Sequence, residues 1–213
     1  MAERRRHVPA ALLLVLLLAG CGAETVPVAA GSAAPAEADI VSFQAADVKN
    51  EMIQPTREEV LAAYDRAVTA FGWFRLTPLP CGGAPVLVDG ISYRKVDRPG
   101  IATMAELETT LRSLFSDEVV DRLLKTGAGQ PLYREIDGAL YAREFSGRTD
   151  PGKGRVEVAV EQTASDTCVV NVTVELLEEN SGSVTGMEYD SFPYQYVRDR
   201  WVFTDFRLVN ELK

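Results

Sequence analysis

The run Val156-Glu157-Val158-Ala159-Val160-Glu161, followed by Cys168-Val169-Val170-Asn171-Val172-Thr173-Val174-Glu175-Leu176, carries its apolar side chains at every second position. Period two places those side chains on one face of an extended chain, so each run predicts a half-buried β-strand. Downstream, residues 189–197 and 201–209 continue the series as a strand pair joined through Arg198-Asp199-Arg200. Upstream, Leu132–Ile136 and Ala139–Phe145 flank Asp137-Gly138, and Val86–Val96 contains Asp89-Gly90. Asp-Gly between two apolar runs supplies the left-handed pair of residues that a tight hairpin turn requires. The second half of the chain is therefore a long antiparallel series.

Ahead of it the period changes to 3.6. Thr56-Arg57-Glu58-Glu59 is a capping box, and Val60, Leu61, Tyr64, Ala67, Val68 and Phe71 follow at helical spacing, with Gly72 read as the stop. Thr103-Met104-Ala105-Glu106 is a second capping box, before Leu107, Leu111, Leu114 and Phe115. Ser116-Asp117-Glu118 opens a short helix with Val119, Val120, Leu123 and Leu124 inward, ended by Gly127. Helices first and strands afterwards predict an α+β fold, with N-terminal helices packed on one face of a curved antiparallel sheet.

The first residues read as an address. Arg4-Arg5-Arg6 precede an uninterrupted apolar run from Ala10 to Leu18. As a helix that run reaches roughly 14 Å, about half of a bilayer core of roughly 30 Å. It is expected to be the core of a secretory signal rather than a spanning anchor. Leu18-Ala19-Gly20-Cys21 then resembles the lipobox of bacterial lipoproteins, so residues 1–20 are expected to be cleaved and Cys21 to be acylated. Two or more acyl chains would hold the protein to the outer face of the cytoplasmic membrane. Residues 21–55 are expected to be a flexible tether, because Gly22–Ala38 is dominated by small residues with interspersed Pro and Glu and shows no hydrophobic period. Its reach is on the order of 30 Å. The folded domain is expected to cover 56–213.

The composition removes several function classes. The chain has 22 Lys plus Arg against 31 Asp plus Glu, a formal charge of −9. Residues 1–20 hold three arginines and Glu3, a net +2, so the cleaved chain would carry −11. Nucleic acid is a poor partner for such a protein. The single histidine, His7, falls in the expected signal. Ser-His-Asp and Cys-His catalysis and His-ligated metal sites are thereby excluded after cleavage. No Gly-rich phosphate loop, Cys-x-x-Cys or calcium-loop pattern is present, and neither a metal nor another cofactor is expected. Cys81 and Cys168 have no histidine to activate them. A structural disulfide between them and two separate thiols remain alternatives.

Four stretches carry a likeness to a known family: Ala63-Tyr64 through Trp73-Phe74, Phe115-Ser116-Asp117-Glu118-Val119-Val120, Tyr133-Arg134-Glu135-Ile136-Asp137-Gly138-Ala139-Leu140-Tyr141, and Trp201-Val202-Phe203. Together, over roughly residues 56–210, they resemble the IseA family of secreted or lipid-anchored inhibitors of bacterial cell-wall DL-endopeptidases. The resemblance implies a cone-shaped roll similar to nuclear-transport-factor-2-like domains. It also implies a non-enzymatic action, in which an acidic face and a protruding loop block the groove of a cysteine-type DL-endopeptidase.

On these residues, the candidate target-contact loop is Ser146–Gly154, with Gly147, Arg148, Thr149, Asp150, Pro151 and Gly152 as its turn-forming centre. Its content departs from the implied chemistry, since one Asp stands against Arg148 and Lys153. A rival is the acidic loop Glu178-Glu179-Asn180-Ser181-Gly182-Ser183. Two further sets call for weighing. Asp117, Glu118 and Asp121 form a carboxylate cluster that a helix start also explains. Tyr189, Phe192, Tyr194, Tyr196, Trp201 and Phe203 would either line an interior ligand pocket or form sheet core. The alternatives to inhibition are a roll-shaped ligand-binding module without activity, and a carboxylate-dependent enzyme.

Overall fold

The structure is a computed structural model that describes residues 53–127 and 129–212. The expected signal peptide, the acylation site Cys21 and the tether up to residue 52 lie outside the described residues. What is described is α+β, with three helices and two antiparallel sheets. Among the described residues no helix is long and apolar enough to cross a membrane.

Helix α1 (Arg57–Arg75) starts at the first capping box: Thr56 N–H donates to Glu59 Oε2 at 2.7 Å, and Glu59 N–H returns to Thr56 Oγ1 at 3.2 Å. The Thr56 backbone N–H and then its hydroxyl, both donating to the carboxylate, hold the Glu59 carboxyl below its ordinary range. The expected stop at Gly72 is corrected: the helix runs on to Arg75, and Gly72 C=O accepts from Leu76 N–H at 2.8 Å. Glycine inside a helix costs about 1 kcal/mol. Continuing buries Trp73 and Phe74, 8% and 3% exposed, which outweighs that cost.

Strands β1 (Cys81–Val88) and β2 (Ile91–Val96) form the first hairpin. Its turn residues Asp89 and Gly90 stand at φ 53° and 78°, as the Asp-Gly pair predicts. Helix α2 (Met104–Arg112) follows its own capping box, and α3 (Asp117–Leu124) is capped by Ser116. Strands β3 (Tyr133–Ile136) and β4 (Ala139–Arg143) turn through Asp137 and Gly138, at φ 50° and 74°. The sheet order is β1-β2-β4-β3.

The second sheet runs β5-β6-β7-β8, with β5 (Lys153–Ala164), β6 (Thr167–Leu177), β7 (Val184–Val197) and β8 (Arg200–Phe203). Arg200 belongs to β8, so the last turn is Arg198-Asp199, both with positive φ. Strand β8 ends at Phe203, and residues 204–209 leave the sheet where the sequence reading extended it.

Where one curved sheet was expected, the ladders divide into two. The connector after β4 makes the break. Gly147 N–H donates to Leu76 C=O at 2.7 Å, and Asp150 N–H donates to Asn210 C=O at 2.9 Å. Its backbone groups are thus satisfied by the end of α1 and the C-terminal segment instead of by a neighbouring strand.

One core joins these parts. Alternation in β6 buries Cys168, Val170, Val172 and Val174, and α1 packs on β5 and β6. Phe74 of α1 meets Tyr133 of the first sheet edge-on at 5.0 Å, while Tyr64 stacks on Phe192 of the second at 6.0 Å. The Tyr133 hydroxyl donates to Trp73 C=O and accepts from Leu79 N–H, both at 2.9 Å; burial raises its pKa well above the ordinary tyrosine value.

Candidate functional site

The alternation that buries one face of the second sheet presents the other. Register aligns Glu157, Thr173 and Tyr189 in one row, and Ala159, Asn171 and Ser191 in the next. Glu175 opposes Met187, toward the β6–β7 turn. Tyr189 is 74% exposed and Met187 45% exposed, on strand β7 whose other face carries the buried Asp190 and Phe192. Polar groups around them are fixed. Ser191 Oγ donates to Asn171 Oδ1 at 2.7 Å, Asn171 Nδ2 to Glu161 Oε2 at 3.3 Å, and Arg155 pairs with Glu157 at 2.8 Å. This face has an acidic excess and offers two apolar side chains in a polar surround. Such composition suits protein contact, since Tyr and Met are enriched at interfaces.

The Glu178–Ser183 loop closes the same hairpin. Glu178 N–H donates to Ser183 C=O and Gly182 N–H to Glu178 C=O, both at 2.9 Å, with Gly182 at φ 67°. Ser181 Oγ donates to Glu178 Oε2 at 2.6 Å, while Glu179 makes no side-chain bond among the described residues. Residues 178–184 are all exposed. Loop and sheet face are thus continuous along one hairpin.

The other candidate loop does not project. Besides the bonds of Gly147 and Asp150, Leu212 N–H donates to Arg148 C=O at 2.9 Å, and Thr149 bridges Glu211. Asp150 Oδ1 accepts from Gly152 N–H at 2.9 Å, which turns Pro151-Gly152 into β5, and Lys153 and Gly154 are already strand. Arg148, Thr149 and Pro151 stay exposed on a segment stitched to the surface. Glycine and proline mark a loop locally; whether it projects depends on partners far along the chain.

The acids at the start of α3 are tied by arginines. Asp117 meets Arg112 at 2.6 Å, Arg200 at 3.1 Å and also Arg198. The hydrogen bond from Arg112, then the guanidinium charges, hold Asp117 below the usual carboxylate range. Asp121 lies 3.6 Å from Arg112, and Glu118 remains exposed. Three segments are joined there: the end of α2, the start of α3 and the β7–β8 turn.

Of the aromatic set, Phe192, Tyr194 and Phe203 are core, Trp201 packs half-buried against it, Tyr196 is half-buried at the edge and Tyr189 is exposed. Tyr194 stacks on Trp201 at 5.6 Å and tilts against Phe203 at 4.7 Å, and Tyr196 rests on Trp201. Rings fill the space where the alternative reading put a ligand.

Sequence reasoning missed an ionic group on the inner face of β7. Glu188 pairs with Lys153, and Asp190, 7% exposed, accepts from Arg207 Nε at 2.9 Å. Asp190 Oδ2 is buried without a partner. Burial, reinforced by the Asp190 carboxylate, pushes the Tyr64 hydroxyl up to about 12. Beside this group lies a cavity of about 240 Å³, bordered also by Asp150 and Glu211. The cation–anion alternation clasps the C-terminal segment to the sheet. Its signal in the sequence was the pair Glu188 and Asp190 at period two, in register with inward Phe192.

Cys81 and Cys168 stand as free thiols in different sheets. Cys81 Sγ donates to Leu79 C=O at 3.1 Å, and burial pushes both thiols up. No protein-family model matches the chain, and no curated protein matches it.

Proposed function

We propose that this protein is a membrane-anchored, extracytoplasmic inhibitor of peptidoglycan DL-endopeptidases, similar to the IseA family, and that it blocks a cysteine-type active-site cleft without covalent chemistry. The observation that carries the reading is the outer face of the second sheet: Tyr189 and Met187 stand among Glu157, Glu161 and Glu175, with Glu178 and Glu179 at the end of the hairpin. An acidic surface favours encounter with a cationic cleft, and an exposed tyrosine supplies an apolar anchor. The acidic hairpin loop, rather than the stitched-down Gly147–Gly152 segment, takes the role of the inserted element. Two further observations support a non-enzymatic reading. The inner-face acids Glu188 and Asp190 are engaged by Lys153 and Arg207, and the interior aromatic residues pack on one another. In the same reading the two sheets and α1 form the cone-shaped roll, and acylated Cys21 holds the domain at the outer face of the cytoplasmic membrane.

The test is titration of the 56–213 domain into a purified cysteine-type DL-endopeptidase digesting peptidoglycan at low salt. Stoichiometric loss of hydrolysis is expected, and Tyr189→Ala should weaken it by tenfold or more. Undiminished hydrolysis with excess domain, across several such enzymes, overturns the proposal.

A further inference from the structure

A second surface feature lies away from the sheet face, where α1 and the end of α2 border an open groove of about 480 Å³. Arg66 and Trp73 stand seven residues apart on α1, two helical turns along one side. Arg98, from the segment between β2 and α2, places its guanidinium 4.6 Å from the centre of the Trp73 ring. Leu114 adds an apolar wall.

The hydrogen-bonding inventory of this groove is one-sided. Thr69 Oγ1 donates to Asp65 C=O at 3.0 Å, Thr110 Oγ1 to Glu106 C=O at 2.8 Å, and Ser113 Oγ to Thr110 C=O at 2.7 Å. The hydroxyl protons are thus committed to the helices themselves. Among the described residues, neither Arg66 nor Arg98 lies in an ion pair with any carboxylate. Nine of the fourteen arginines among the described residues are paired with a carboxylate, and these two are not. Asp65 is the one carboxylate in the lining, so two guanidiniums face one acid. Each guanidinium carries five N–H donors in a planar fork suited to an oxyanion. The Trp73 ring is buried, and the Arg98 guanidinium laid over it offers a flat, partly exposed surface against which a planar group can lie.

We infer that this groove is a binding site for a small oxyanion with a flat apolar body, held by Arg66 and Arg98, with the flat body laid on the Arg98 guanidinium that covers the buried Trp73 ring. The shared chemistry is a carboxylate or a phosphate monoester on a ring-sized group. The site uses none of the residues of the acidic sheet face, so it stands or falls independently of peptidase inhibition.

The chain has two tryptophans, Trp73 and Trp201, so Trp201→Phe leaves Trp73 as the sole indole fluorophore. In low-salt buffer this variant is titrated with benzoate, phenyl phosphate and uncharged benzamide. A saturable change in Trp73 emission is expected with benzoate, phenyl phosphate or both, and the stronger of the two identifies the preferred anion. Benzamide should bind at least tenfold more weakly, and Arg66→Gln with Arg98→Gln should weaken the anion at least tenfold. Labelling the unaltered chain with 5-fluorotryptophan, one ¹⁹F signal per indole, gives the same readout should Trp201→Phe misfold. No saturable response to either anion overturns the inference. So does benzamide binding as well as benzoate, or anion binding that survives the double substitution.

Discussion

Phe206 meets Tyr64, Phe71, Phe115, Phe192 and Phe203, with ring centroids between 4.9 and 5.8 Å. It comes from the segment after β8, where the sequence reading extended a strand, and it is the residue at which α1, the α2–α3 junction and the second sheet converge. Truncating a buried phenylalanine removes its transfer free energy and leaves a cavity that rigid neighbours do not fill, so Phe206→Ala should cost about 3–5 kcal/mol. Urea unfolding checks this; a loss below about 1 kcal/mol would mean that the surrounding rings collapse into the space. Asp117 stabilises in a different way, through charge. Its folded pKa is depressed by Arg112 and the neighbouring guanidiniums, so its contribution is present above the unfolded carboxyl value and is lost as pH falls through the folded one. Asp117→Asn should therefore lower the melting temperature at about pH 6, with the gap to the parent closing by about pH 2. A gap independent of pH would assign the effect to packing or helix capping instead of to charge.

At the scale of elements, the β4–β5 connector decides the architecture. A Cβ on Gly147 would collide with the Arg75 carbonyl oxygen, which is backbone and has nowhere to move while α1 stays intact. Gly147→Ala should cost about 1–3 kcal/mol, as overpacking does, and should raise hydrogen exchange at the Gly147 and Leu212 amides. Unchanged stability would show that the connector is not pinned. The same connector marks where sequence reasoning ran out. Both Thr-initiated capping boxes, the Ser116 cap and both Asp-Gly turns were legible, because each is a bond between residues at most a few positions apart. The period-two burial of β6 was legible as well, since one face of a strand meets one core. The division into two sheets was not. It depends on Gly147 meeting Leu76 and Asp150 meeting Asn210, pairings that no local spacing encodes. The extension of α1 past Gly72 failed to read for a related reason, as the burial of Trp73 and Phe74 is decided by sheets formed later in the chain. For the candidate site, both loops read as loops, but their opposite fates followed from those long-range bonds.

At the scale of the whole molecule, charge and anchor make separable contributions to the proposed inhibition. The formal charge of −9 is spread over the chain, whereas Tyr189 occupies one point on the sheet face. Long-range attraction acts during approach and is screened beyond about 8 Å at physiological ionic strength. Desolvated apolar contact acts only after docking. On the proposed reading, neutralising the sheet face by Glu157→Gln, Glu161→Gln and Glu175→Gln should reduce the association rate with a cationic peptidase by roughly tenfold at low salt, with little change above about 0.5 M salt. Tyr189→Ala should leave that rate within about threefold and instead speed dissociation, by about tenfold to a hundredfold. Surface-binding kinetics measured across a salt series resolve the two. The charge variants should flatten the dependence of association on ionic strength, and the tyrosine variant should keep the parent slope. If the triple substitution leaves the slope unchanged, the sheet face is not the surface that the peptidase meets, and docking through the Glu178–Glu179 loop alone becomes the reading to test by reversing those two charges.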